Sequence, residues 1–137
     1  MKRLKTVAII LLTLYAMLVL MAFGFQERLI FLPDPLPLNY KYEFHQPYKE
    51  IFITTDDGAK LNVIHPQHEN AKGAILYFHG NSGNISKLGH VADLLSGKGY
   101  DIFLVDYRTY GKSTGKISEA ALRVDAQLLY NMALEVY

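Results

Sequence analysis

The sequence has no cysteine and almost no net charge, and both features narrow the possible functions. Without cysteine the chain can form no disulfide, no thiolate metal site and no cysteine nucleophile, and it has no thiol for lipid attachment. Fourteen Lys and Arg residues against thirteen Asp and Glu residues give a formal net charge of +1. Because no overall field attracts nucleic acid or an acidic partner, no nucleic-acid partner is expected.

Charge is also missing from one long stretch near the N-terminus. From Thr6 to Phe25 no side chain is charged, and twenty helical residues span about 30 Å, the thickness of the hydrocarbon core of a bilayer. We therefore predict a membrane anchor over residues 1–25, with the lipid bilayer as its partner through residues 6–25.

The charges around this stretch predict its orientation. Lys2, Arg3 and Lys5 precede it, so the positive-inside bias predicts a single-pass protein of the cell membrane whose globular part lies on the extracytoplasmic side. A cleaved signal peptide is the alternative, because Ala22 and Gly24 are small residues with the spacing of a cleavage site.

Proline is scarce, and its distribution is uneven. Three of the five prolines stand at positions 33, 35 and 37, where their fixed φ angles prevent helix and favour an extended chain. Residues 26–47 are therefore predicted to be a proline-rich stalk. An irregular loop packed on the following domain remains open, because apolar residues flank the prolines.

The remaining residues, 48–137, show the pattern of an α/β domain. The predicted elements are a hairpin of strands 49–55 and 60–65 around an Asp57-Gly58 turn, a buried strand 74–78, a helix 83–98, a strand 100–106 and a last helix beginning at Ser118. That last helix is expected to pack through Ala121, Val124, Leu128 and Met132. A strand, helix and strand in this order form a βαβ unit with parallel strands.

A glycine-rich turn, His79-Gly80-Asn81-Ser82-Gly83-Asn84, follows the buried strand. Ligands of open α/β sheets bind at the carboxyl ends of the strands, and a turn of this kind can aim the Asn81 N–H at a developing oxyanion. A tight turn whose Asn and Ser only cap the next helix is equally compatible with these residues. His79 is expected to orient the loop by hydrogen bonds.

The pairing of this turn with Asp106-Tyr107-Arg108-Thr109-Tyr110-Gly111-Lys112-Ser113 after the next strand resembles the membrane-anchored α/β-hydrolases related to serine-aminopeptidase-like and dienelactone-hydrolase-like enzymes. The resemblance covers residues 26–137 and implies that residues 48–137 are the N-terminal half of such a domain, with strands 1 to 4. It implies a Ser-His-Asp triad, an oxyanion-hole N–H from Asn81, and cleavage of a small-molecule ester, thioester or amide. His79, Gly80, Ser82, Asp106 and Arg108 would shape the turns near the site, and neither cofactor nor metal is implied.

The sequence departs from this family in two respects. Proteins of the family usually have Gly where this chain has Thr109, which would strain the turn if a positive φ is required there. No residue stands on a nucleophile elbow, because Gly111-Lys112-Ser113-Thr114-Gly115 matches G-x-S-x-G without a strand leading directly into it. We therefore expect this chain to be inactive alone, with the elbow, the acid and the base encoded beyond Tyr137. The alternatives are a non-catalytic truncated anchored module and an anchored binding domain.

Overall fold

A long apolar helix forms the N-terminal part of the protein. In the computed structural model, which describes residues 2–136, the chain divides into two units, Met1–Phe31 and Leu32–Tyr137. The first consists of helix α1 (Lys2–Ile30), none of whose residues is buried. Its most apolar window has a mean hydropathy of 2.6, so by length and composition the helix could cross a bilayer.

A mixed four-stranded sheet is the centre of the second unit. Strands β2 (Tyr48–Thr54) and β3 (Lys60–Pro66) form the predicted antiparallel hairpin, and Gly58 in its turn has a φ of 83°. Strands β4 (Ala74–Phe78) and β6 (Asp101–Val105) are parallel. The strand order is β2-β3-β6-β4, with β3 and β6 antiparallel. The predicted α/β class, with a hairpin followed by a βαβ crossover, is therefore confirmed.

The helix predicted over residues 83–98 is shorter than expected. Two-residue strands β1 (Leu32–Pro33) and β5 (Ser82–Gly83) pair in parallel, a 3₁₀ turn covers Ile85–Lys87, and helix α2 extends over Gly89–Ser96. The Asn84 side chain accepts a hydrogen bond from the Ser86 N–H at 2.9 Å. This cap starts the 3₁₀ turn at the point where continuous helix was predicted.

The sheet has an apolar core on each face. One core contains Tyr42, Ile64, Ile85, Ala92, Ile102 and Leu104. The other contains Leu61, Val63, Phe103, Val105 and Leu129. Strands β3 and β6 contribute alternate residues to both cores, as expected of central strands that are covered on both sides.

Helix α3 (Glu119–Val136) has the predicted start but a different buried face. The Ala121 N–H donates to the Ser118 Oγ at 3.1 Å, which confirms the N-cap. The buried residues of α3 are Asp125, Leu129 and Ala133, whereas Val124, predicted to pack inward, is exposed. A prediction from apolar spacing places a charged residue such as Asp125 on the exposed face. The prediction was wrong here because the Asp125 carboxylate faces inward, toward a buried cation.

That cation is the guanidinium of Arg108, which connects three elements. Arg108 binds both carboxylate oxygens of Asp125 on α3, with Nε–Oδ2 and Nη2–Oδ1 distances of 2.8 and 2.9 Å. It also binds Asp57 in the hairpin turn, at 2.5 Å from Nη1 to Oδ2 and 3.0 Å from Nη2 to Oδ1. Hydrogen bonds from Arg108 and Thr55 lower the pKa of Asp57 to about 2.

The segment predicted as a stalk, residues 26–47, requires a correction. Residues 26–30 belong to α1, and the second unit begins at Leu32. Tyr42 is 5 % exposed and lies in the core beside Ile64 and Ile85, and its hydroxyl donates to the Asn62 Oδ1 at 2.8 Å. From Leu32 onward the segment is therefore the packed irregular loop that was the alternative. Aromatic side chains drive this packing: ring centres are 5.3 to 5.8 Å apart along Tyr40, Tyr42, Phe44 and Tyr48.

The packed segment yields a stability prediction. Tyr42→Ala should lower the free energy of unfolding by about 3–5 kcal/mol, as expected when a large buried aromatic side chain is removed. Leu38→Ala is the matched control in the same segment, because Leu38 is 72 % exposed and its truncation should change stability by less than about 0.5 kcal/mol. Urea unfolding in detergent, followed by near-ultraviolet circular dichroism of tyrosine, measures both. Equal effects of the two substitutions would show that the segment is a free stalk.

The Arg108 cluster yields a second prediction. Arg108→Gln should destabilise the fold by about 3–5 kcal/mol, because it leaves the buried Asp125 carboxylate without its cation. Arg123→Gln is the control: this exposed arginine pairs with Glu119 one turn away, so its loss should cost less than about 0.5 kcal/mol.

The same variant should change the acid response. The Asp57 pKa is lower in the folded than in the unfolded chain, so its stabilising contribution is present above about pH 4 and is lost as the pH falls toward 2. Arg108→Gln should return the Asp57 pKa toward its ordinary value, as measured by the carboxyl ¹³C shift. An unchanged Asp57 titration would contradict this ion pair.

Candidate functional site

Two loops meet at one edge of the sheet, because β4 and β6 are parallel neighbours and both end there. The first loop (residues 79–84) follows β4 and leads into the 3₁₀ turn. The second loop (residues 106–111) follows β6. Of the residues predicted to form the site, the structure brings His79, Gly80, Asn81, Ser82 and Asp106 together at this edge, and it also places the backbone of Arg108 there.

Three successive carbonyl groups of the first loop are held by donors. The His79 carbonyl accepts from the Tyr107 hydroxyl at 2.5 Å. The Gly80 carbonyl lies 2.7 Å from the Nδ1 of His79. The Asn81 carbonyl accepts from the Tyr110 hydroxyl at 2.7 Å and from the Leu32 N–H at 2.9 Å. The peptide planes on both sides of Asn81 are therefore fixed in orientation.

The His79 ring lies inside the site rather than at its surface. Its side chain is almost completely buried, and its Nε2 is 3.3 Å from the Asp106 Oδ1. Ring centres of Tyr107 and Tyr110 are 4.4 and 5.2 Å away. Because a carbonyl oxygen can only accept, the Nδ1 facing Gly80 must carry a proton. The ring is therefore placed to orient the first loop, and its other nitrogen faces Asp106.

The Asp106 carboxylate joins the two loops. It is fully buried, and its Oδ1 accepts from the Ile85 N–H at 2.9 Å. Burial raises the pKa of Asp106 above its ordinary value, although the His79 ring and the Ile85 N–H favour the charged form. Gly111 has a φ of 50°, and a Cβ there would overlap the Asp106 carboxylate. The glycine is therefore required for the second loop to close around this carboxylate.

The side chains of Arg108 and Ser113 are held by structural partners and are not available to a substrate at this edge of the sheet. The Arg108 guanidinium is occupied by Asp57 and Asp125, as described above. Ser113 is buried, and its Oγ donates to the Asp106 carbonyl at 2.7 Å and accepts from the Asn62 N–H at 2.8 Å. Its literal G-x-S-x-G context is thus a tight turn that ties the second loop to β3.

Thr109 has the positive φ that the sequence departure raised as a concern. Its φ is 71°, in the left-handed region that disfavours a β-branched residue. The Thr109 Oγ1 is buried and has no hydrogen-bond partner among residues 2–136. The second loop therefore has a residue in the left-handed conformation at Thr109, although glycine would adopt this conformation without strain.

Sequence reasoning missed the groups that hold the first loop. In the sequence Tyr107 and Tyr110 stand out only as parts of the motif after the second parallel strand, and Leu32 falls within the predicted stalk. The closely spaced tyrosines after β6 were the available signal, since a buried tyrosine needs a partner for its hydroxyl.

Across the described part of the chain, no group of three His, Asp or Glu side chains is arranged to hold a metal ion.

Sequence comparison relates the chain to curated proteins. It is 33% identical over 97 residues to Protein bem46 of Schizosaccharomyces pombe, a match that covers 68% of this chain and 32% of that protein. It is 30% identical over 112 residues to the alpha/beta hydrolase domain-containing protein WAV2 of Arabidopsis thaliana, covering 76% and 36%. An uncharacterised membrane protein of Saccharomyces cerevisiae is 33% identical over 81 residues, covering 58% and 28%. No protein-family model matches.

Solved structures share the fold. A Pyrococcus furiosus esterase superposes with a TM-score of 0.54 at 22% identity, over 74% of this chain and 42% of that one. A probable hydrolytic enzyme of Pseudomonas aeruginosa gives a TM-score of 0.56 at 18% identity, over 73% and 34%.

The chain spans about a third of the length of bem46 and of the alpha/beta hydrolase domain-containing protein WAV2. The chain belongs to the α/β-hydrolase-like family.

Proposed function

We propose that this chain contributes the oxyanion-hole side of a membrane-anchored serine hydrolase that cleaves a small ester, thioester or amide. The observation that carries the proposal is the Gly80–Asn81 peptide, held at the carboxyl edge of the sheet by the His79 ring. In a trans peptide the N–H points opposite to the carbonyl. A donor that fixes the Gly80 carbonyl therefore also sets the direction of the Asn81 N–H.

The reaction defines the role of this N–H. A serine Oγ attacks the substrate carbonyl while a base takes its proton, the new C–O bond forms, and one electron pair of the C=O bond moves to the carbonyl oxygen. The Asn81 N–H would donate to that oxygen as its charge develops, which lowers the barrier most if the donor is already in place. When the intermediate collapses, the bond to the leaving group breaks and the base gives the serine proton to that group. Water, which loses a proton to the same base, then attacks the acyl-serine, and the acid leaves as the serine regains a proton.

The nucleophilic serine of this proposal lies outside residues 1–137. Four of the five serines have hydroxyls in local structural bonds: Ser86 to Asn84, Ser96 to Asp93, Ser113 to Asp106 and Asn62, and Ser118 to Ala121. Ser82 lies on β5, which is not an elbow between a strand and a helix. A serine without a base to take its proton is a poor nucleophile.

Asn81→Pro tests this function directly, because proline removes the N–H at that position. In the protein expressed from its complete reading frame, kcat for p-nitrophenyl acetate should fall by about 10²–10³-fold. Asn81→Ala keeps the N–H and is the matched control, with a much smaller loss. Equal losses of kcat in the two variants would show that the Asn81 N–H has no role in the reaction.

A fluorophosphonate probe supplies the complementary measurement. It should label a serine of the full-length protein outside residues 1–137 and should leave the 137-residue chain unlabelled. Stoichiometric labelling of Ser82 or Ser113 would contradict the assignment, and an unlabelled full-length protein would favour the anchored binding domain.

Membrane attachment is the second part of the proposal. Helix α1 is long and apolar enough to span a bilayer, and a similar yeast protein is described as a membrane protein. The cationic side chains of Lys2, Arg3 and Lys5 precede the uncharged stretch. We propose that α1 is retained as a single-pass anchor with the second unit outside the cytoplasm.

Protease added to intact bacterial spheroplasts expressing the protein should remove the second unit and leave the N-terminus protected. Because the orientation depends on basic residues, a variant with Gln at positions 2, 3 and 5 should show mixed orientation. Full protection of the second unit would contradict the orientation. An N-terminus that begins after Gly24 would instead identify α1 as a cleaved signal peptide.

A further inference from the structure

The five residues after the apolar helix and Phe31 lie across both loops of the site. We call residues 32–36 the strap. At its start, the Leu32 N–H donates to the Asn81 carbonyl of the first loop at 2.9 Å, and at its end the Leu36 N–H donates to the Gly111 carbonyl of the second loop at 2.7 Å. The strap therefore bridges the two loops by its backbone.

The middle of the strap also contacts both loops. The Asp34 carbonyl accepts from the Gly111 N–H at 3.1 Å and from the Asn84 side chain at 2.8 Å. The Asp34 carboxylate pairs with the Lys87 ammonium at 2.6 Å in the 3₁₀ turn. Every second residue of the strap is thus bonded to a site loop or to the turn that follows one.

This alternation explains the spacing of the prolines. Leu32, Asp34 and Leu36 supply the bonded backbone groups, and Pro33 and Pro35 occupy the positions between them. A residue with no N–H is tolerated there because the donors of the strap lie at the other positions. The fixed φ of proline also keeps the strap extended before it binds the loops.

We propose that the strap and Tyr110 form a clamp that positions the proposed oxyanion-hole N–H of Asn81, with Tyr110 as a positioning residue. The clamp consists of the two donors, the Leu32 N–H and the Tyr110 hydroxyl, which meet on the Asn81 carbonyl. The His79 ring holds the preceding carbonyl, so the three donors together restrict rotation on both sides of the Asn81 Cα. This inference rests on the proposed hydrolase function.

Such a clamp should affect catalysis more than substrate binding. The substrate carbonyl carries little charge before attack and a full negative charge afterwards, so an N–H that drifts from its position loses most of its value in the transition state. Loss of one donor should therefore lower kcat and leave KM nearly unchanged.

Tyr110→Phe removes one donor and keeps the buried ring. In the protein from the complete reading frame, kcat for p-nitrophenyl acetate should fall by about 10–100-fold with KM within two-fold, which is less than the loss expected when the N–H itself is removed. Leu32→Pro removes the other donor and should change kcat in the same direction. Tyr48→Phe is the matched control, because its hydroxyl donates to the Tyr42 carbonyl, which belongs to neither loop.

Hydrogen–deuterium exchange gives a readout that does not depend on activity. Tyr110→Phe should speed exchange in residues 79–84 and leave the hairpin, residues 48–66, unchanged. An unchanged kcat, or a kcat that falls as far in Tyr48→Phe, overturns the proposal. If the unsubstituted protein hydrolyses no ester, the hydrolase function fails and exchange alone decides whether the clamp exists, with unchanged exchange of the first loop overturning it.

Discussion

The buried Asp106 carboxylate is the constraint on which the site depends. Its Oδ1 receives the Ile85 N–H at the end of the first loop and faces the His79 ring at the start of that loop. The backbone of Asp106 bonds to Asn62 on β3 and to the Ser113 hydroxyl. A buried carboxylate is costly unless its surroundings satisfy it, so both loops must close around it together. Gly111 meets this requirement, because only a residue without Cβ leaves room for the carboxylate.

Arg108 performs the corresponding task on the other side of the second loop. It turns away from the site and joins the hairpin turn to α3 through two carboxylates, of which Asp125 is buried and Asp57 is largely exposed. The motif from Asp106 to Ser113 thus contains three charged side chains, and each has a different partner: Lys112 pairs with Glu50 on β2. Asp106 organises the site loops, and Arg108 fastens these loops to the rest of the domain.

The strap makes the segment after the apolar helix a structural part of the domain. Its hydrogen bonds to Asn81 and Gly111 show that the chain from residue 32 onward helps to hold the two loops. A signal-peptide cleavage after Gly24 would leave the strap intact, so the proposed clamp does not depend on whether α1 is retained. Removal of residues 1–36 to obtain a soluble protein would remove the donor that Leu32 supplies to the first loop.

The hairpin, strands β4 and β6 and the start of the last helix followed from the sequence alone, whereas the short β5 strand and the 3₁₀ turn before α2 did not. Uniform apolarity marked strands β4 and β6, Asp57-Gly58 marked the hairpin turn, and Ser118 marked a helix start, because each of these signals depends on neighbours in the chain. The glycine-rich turn after β4 and the resemblance it carries led to the α/β-hydrolase fold.

Other features were decided by contacts between residues distant in the chain. Asp125 faces inward because Arg108, 17 residues away, neutralises it. Pro33 and Pro35 lie in a packed strap because its N–H groups find carbonyls on loops 49 and 75 residues further along. A pattern of prolines specifies an extended chain but not what that chain lies against, and a charged residue specifies a need for a partner but not where it is. Only the tertiary structure supplies those partners, because the energy that decides them arises from burial and hydrogen bonding across the sheet.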